Sequence, residues 1–167
     1  MKHLRTIFSL GTAMMLSACM ATAPSNDPID GKAVVSGPQA AKLFVENCYN
    51  SPDGTAVLRN SAFEKLETSS DDKVVAMHKS VLAKFGTVGD RCLMIFRGNK
   101  TKAESREDFA SALSTHVNGQ LTRSDRGTPL SMTTARGKIS FTGPDIIISG
   151  PTLTHHQDFE IWFLPAE

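Results

Sequence analysis

The first apolar feature of the chain is the continuous run over 7–16, and nothing periodic follows it until residue 38. The stretch between holds Pro24, Pro28, Gly31 and Gly37 among Ser, Asn, Asp and Ala, with only Ile29, Val34 and Val35 as larger apolar side chains. Helical spacing then begins. Ala40 or Ala41, Phe44 and Cys48 fall on one face and predict a helix over 38–48, capped by Ser36 and with Pro38 in the first turn, where its missing N–H is not needed. Asn50-Ser51-Pro52-Asp53-Gly54 forms a turn cluster, and Leu58, Phe63 and Leu66 predict a short second helix over 55–67. Val74, His78, Val81, Leu82 and Phe85 suit a helix, while 78–85 also alternates as a strand. We favour a strand, because Gly86-Thr87-Val88-Gly89-Asp90 leads straight into the apolar Cys92-Leu93-Met94-Ile95-Phe96, and a hairpin closes at little loop cost.

The clearest later helix is expected over 104–117. Thr101 can cap it, acidic residues crowd its first turns, and Phe109, Ala112 or Leu113, and His116 or Val117 share a face before Asn118-Gly119 ends it. Strands are expected over 130–135, 138–142, 146–149 and 159–164, separated by Arg136-Gly137 and Gly143-Pro144-Asp145. The last two are the most apolar and are expected to lie against the helices. No internal repeat is visible. Together these elements predict an α+β fold, an antiparallel sheet of four to six strands with two or three helices packed on one face.

The N-terminal run changes the picture from a domain to an exported one. Lys2, His3 and Arg5 precede it, and its ten or so residues fit a signal core but fall short of the roughly 30 Å hydrocarbon layer. It closes on Leu16-Ser17-Ala18-Cys19. This segment resembles the signal peptides of bacterial lipoproteins, and the resemblance implies cleavage before Cys19 and acylation of its thiol. A competing cut after Ala21-Thr22-Ala23 would place Pro24 first, which such cleavage tolerates poorly. The implied division is a signal peptide over 1–18, a lipid-anchored flexible tether over 19–37 and one globular domain over 38–167. The resemblance covers about the first twenty residues and names no family for the domain. Met20 after the cysteine, in place of an aspartate, implies by the same analogy the outer membrane facing the periplasm, if the organism has two membranes.

Removing residues 1–18 takes away Lys2 and Arg5, so 18 basic against 17 acidic residues become 16 against 17. This near-neutral chain lacks the basic excess of a nucleic-acid binder. With Cys19 assigned to lipid, Cys48 and Cys92 form an even pair in an oxidising compartment and are expected to be disulfide-bonded; no Cys-x-x-Cys suggests redox or metal chemistry.

Catalytic signatures are weak. His155, His156 and Asp158 crowd a loop, but consecutive side chains diverge in an extended chain, and a metal would need further ligands such as His78 or His116. No metal and no cofactor is therefore assigned. No Gly-x-Ser-x-Gly, Ser-x-x-Lys or His-Glu-x-x-His singles out a nucleophile or a zinc site, and Gly86-Thr87-Val88-Gly89 lacks the lysine of a phosphate loop. Asp71-Asp72 reads more readily as a solvated pair than as an acid and base, and Trp162 as a core or sheet-face residue. The expectation is a tethered, non-enzymatic binding or assembly domain with the membrane and an envelope protein as partners. The alternative is a periplasmic enzyme or small-ligand binder whose site is assembled from distant residues.

Overall fold

The computed structural model describes residues 31–66, 75–141 and 158–166. Order begins earlier than the sequence pattern suggests. Ala33 bridges Val81 and Val35 bridges Gly98, with Ala33 N–H donating to Ser80 C=O at 3.0 Å and Val35 N–H to Arg97 C=O at 2.8 Å. Val35 is fully buried. The last residues of the expected tether are thus part of the domain, held by backbone hydrogen bonds and one β-branched side chain in the core.

α1 (Gly37–Phe44) starts as expected: Ser36 Oγ accepts from the Gln39 N–H at 3.4 Å, and Ala40, Ala41 and Phe44 are buried. It is α-helical only to Phe44. Val45–Tyr49 continue as a π-helical turn carrying Cys48, which is bonded to Cys92 with the Cα atoms 5.3 Å apart. The expected disulfide is therefore present. α2 (Thr55–Arg59) is shorter than the helix expected over 55–67. Asn60 ends it, its side chain accepting from the Ala62 N–H at 3.0 Å, and the chain turns into a strand.

Eight strands follow among the described residues, where four to six were expected. They are β1 (Phe63–Leu66), β2 (Val75–His78), β3 (Ala83–Val88), β4 (Arg91–Arg97), β5 (Gly119–Arg123), β6 (Pro129–Thr134), β7 (Gly137–Ser140) and β8 (Asp158–Pro165), with α3 (Lys102–His116) between β4 and β5. The excess has three sources. The end of the expected second helix is β1, the single strand expected over 78–85 is replaced by β2 and by β3, which runs on to Val88 through the expected turn, and β5 occupies a stretch that showed no strand pattern. The expected strand over 146–149 lies outside the described residues.

Every strand pair is antiparallel, and the order is β1-β2-β3-β4-β8-β7-β6-β5. This order contains a repeat that the sequence hides. A helix followed by a four-strand meander occurs twice, and the last strands of the two meanders, β4 and β8, pair at the centre. α1 packs against α3, and the inward residues of both meanders join them in one core. Phe109 of α3 sits at the middle of that core, with Phe44, Phe96, Phe141 and Phe159 rings 5.8–6.0 Å away. Close approach of the two helices requires Gly37: a Cβ there would lie 2.4 Å from Asp108 Cβ.

Candidate functional site

Strand alternation sorts the sheet into two chemically different faces. On β8, Phe159, Ile161 and Phe163 enter the core under the helices, so Glu160 and Trp162 project to the opposite face. No described helix packs there. Register across the sheet then assembles two rows on that face. Leu93, Trp162, Ser140 and Ser131 form one, and Met77, Lys84, Ile95 and Glu160 the other; Arg97, two residues beyond Ile95 on β4, shares the same side.

Polar groups on this face are buried together with apolar ones. Trp162 is fully buried, Lys84 is 2% exposed and Arg97 8%. Trp162 Nε1 donates to Glu160 Oε1 at 2.5 Å, which meets the indole's single donor and fixes the carboxylate. Burial pushes the Lys84 ammonium below its ordinary pKa, since a desolvated cation is disfavoured against the neutral amine. Lys84 and Arg97 both have interaction partners. Two cations, a carboxylate and an indole from three strands thus share one face, which is how a site built from sequence-distant residues would be made.

The residues singled out by sequence are dispersed. His78 ends β2, one strand in from the edge strand β1, stacked edge-on against Phe63 at 5.0 Å, and its Nδ1 accepts from the Ser80 N–H at 3.1 Å. That acceptor role places the proton of neutral His78 on Nε2. Burial first, and the Lys32 charge second, push its pKa down. His116 is exposed as the last residue of α3, near β5 at the opposite end of the strand order. Asp158 opens β8 opposite Arg97. Cys19, Asp71, Asp72, His155 and His156 lie outside the described residues. Among the described residues, no three His, Cys, Asp or Glu side chains form a metal-binding group.

One further polar group is buried on the helical face. Arg106 of α3 lays its guanidinium 5.4 Å from the Phe159 ring centroid, and its Nε is buried without a hydrogen-bond partner. The ring face offsets part of that desolvation, and burial lowers the Arg106 pKa.

Sequence reasoning missed Lys84 and Arg97. Both sit in strands beside apolar residues, where alternation assigns them to an outward face, and an outward lysine or arginine is ordinarily solvated. The available signal was Trp162, whose position between Ile161 and Phe163 puts a large aromatic on that same outward side. No family model, curated protein or solved structure matches the chain.

Proposed function

We propose that this chain is a lipid-anchored cell-envelope protein whose domain acts without catalysis, binding or helping to assemble an envelope partner. The observation that carries the reading is Leu16-Ser17-Ala18-Cys19 at the end of a basic-then-apolar segment of signal-peptide length. The folded part supports it in two ways. A disulfide joins Cys48 to Cys92, as suits an oxidising compartment. Ala33, bridged to Val81 of the domain, follows Cys19 by fourteen positions, and a coil of that length spans about 21 Å. Among the described residues, no helix is long and apolar enough to cross a membrane, so attachment in this reading falls to the acylated cysteine. Stable attachment needs more than one acyl chain.

Intact mass of the protein purified from its native membrane tests this. The expected species begins at Cys19, carries acyl chains and gains about 2 Da on reduction, one hydrogen for each disulfide sulfur. A lipid-free species beginning at Pro24 overturns the anchor.

A second reading, a periplasmic small-ligand binder or enzyme, is favoured by one observation: the burial of Lys84, Arg97 and Trp162 on one sheet face beside Glu160. Trp162 is the only tryptophan, so intrinsic fluorescence reports that face alone. A saturable change in its emission on adding a small carboxylate or phosphate compound, lost in Lys84→Met, would favour this reading over the first.

A further inference from the structure

We propose that the end of the domain where the tether docks is a membrane-facing surface that contacts anionic phospholipid headgroups. The inference rests on the anchored reading and deepens it, because it gives the domain an orientation on the bilayer. Its basis is that hydrogen bonds bring Lys32 and Lys79, which are distant in sequence, to the chain just after α2. Lys32 Nζ donates to the Lys79 carbonyl at 2.9 Å, and Lys79 Nζ donates to the Ser61 carbonyl at 2.7 Å. Both ammonium groups are thereby held beside the segment that leaves α2. That segment carries Arg59, exposed, and Leu58, which at 45% is the one large apolar side chain among the described residues that stands exposed.

The charge at this end is local. Ion pairs among the described residues join Lys42 to Glu46, Lys100 to Asp108 and Arg123 to Glu107, and none involves Lys32, Arg59 or Lys79. Phe63 pairs with His78 at this end of the β1–β2 pair and Leu66 with Val75 at the other.

Cationic side chains and an exposed leucine on adjoining segments match the boundary between headgroups and acyl chains: ammonium and guanidinium groups meet lipid phosphates, and the leucine enters the apolar edge. Such a patch is weak as a free binder. Tethering changes that, because the same short linker that enters at Ala33 keeps it at high effective concentration near the surface. A few weak contacts are then enough to orient the domain.

The test uses the full lipidated protein in vesicles of phosphatidylcholine, alone or with about 30% phosphatidylglycerol, with lysine acetylation footprinted by mass spectrometry. Acetylation of Lys79 is expected to fall about threefold on the anionic vesicles and to recover in about 0.5 M salt. Lys138, exposed on β7 four strands from β2, serves as the control and should not change. In Arg59→Glu, protection of Lys79 should be lost with the fold intact by circular dichroism. Equal acetylation on both vesicles overturns the proposal. Protection by inorganic phosphate without vesicles also overturns it, since the patch is then a site for a soluble anion. If the mass shows no acyl chain, the same footprint with vesicles added to the unacylated protein separates the two failures. Anionic protection there sustains the patch while the anchor falls, and its absence removes both.

Discussion

The two halves of the sheet share a topology but are secured by different means. In the first half α1 runs for eight residues, gives way to a π-helical turn and is joined covalently to β4 through Cys48–Cys92. In the second, α3 runs for fifteen residues with a complete capping box, Thr101 and Glu104 bonding reciprocally. It passes into β5 two residues after it ends, and Arg123 of β5 reaches back to Glu107 with a two-pronged ion pair. A helix that satisfies its own ends and feeds directly into its meander needs no cross-link. One whose ladder is interrupted, and which must reach β1 through α2, gains most from a bond that limits the unfolded chain.

The largest expected effect comes from removing that bond. Cys48→Ala with Cys92→Ala releases a loop of 44 residues' separation, and the chain-entropy model assigns it about 4 kcal/mol. An unfolding free energy from urea titration lowered by that amount is expected; a change below about 1 kcal/mol would show that the first half is secured by packing alone.

The shared seam between the halves is next. Gly37→Val brings a Cβ to 2.4 Å from Asp108 Cβ, with two methyl groups beyond it, and the helices must separate. Overpacking of this kind costs about 2 kcal/mol. Because the seam belongs to both halves, the loss should appear undiminished in the disulfide-free background, which equilibrium unfolding of the combined variant reads directly.

Caps of the second half should matter less. Thr101→Ala removes the hydroxyl that accepts from the Glu104 N–H and costs about 1 kcal/mol. Arg123→Ala removes an exposed ion pair and should lower stability less than the loss of the cap, an effect that fades in high salt. If Thr101→Ala unfolded the protein, the claim that α3 rests on packing as well as caps would fail.

Apolar spacing made α1, β4 and β8 legible close to where they stand, and the Thr101 cap did the same for α3; β3 runs on through Gly86, Thr87 and Val88, which read as turn. The edge strands were not legible. β1 carries exposed Glu64 and Lys65, and β5 exposed Gln120, Thr122 and Arg123, so neither offers the alternation that marks a half-buried strand. Leu58 completed a false helical stripe with Phe63 and Leu66, and it proves to be exposed while Phe63 is buried in a strand. The repeat stayed hidden because it is one of connectivity, with one long helix in one copy standing where the other has α1, a π-helical turn and α2. Of the buried polar face, only Trp162 was singled out by its sequence position; Lys84 and Arg97 emerge from register.

The smallest expected effect lies at the outer edge of the first half, at His78. Burial and Lys32 disfavour its charged form, so its folded pKa lies below the ordinary value of 6.5. The sign follows from linkage: above the unfolded value both states are neutral and the group costs nothing, and as pH falls below 6.5 the unfolded chain takes up a proton that the folded chain resists. Stability from neutral His78 is therefore full above that pH and lost as pH drops through the folded value. Carboxylates also titrate in acid, so the measurement is a difference, the urea midpoint of the wild type against His78→Gln across this window. The wild type should lose ground relative to His78→Gln as pH falls below 6.5, while the gap between them stays constant above it. A gap constant throughout would mean that His78 ionises freely, and that the packing of Phe63 over its ring, unlike the cross-linked centre of the same half, opens readily to water.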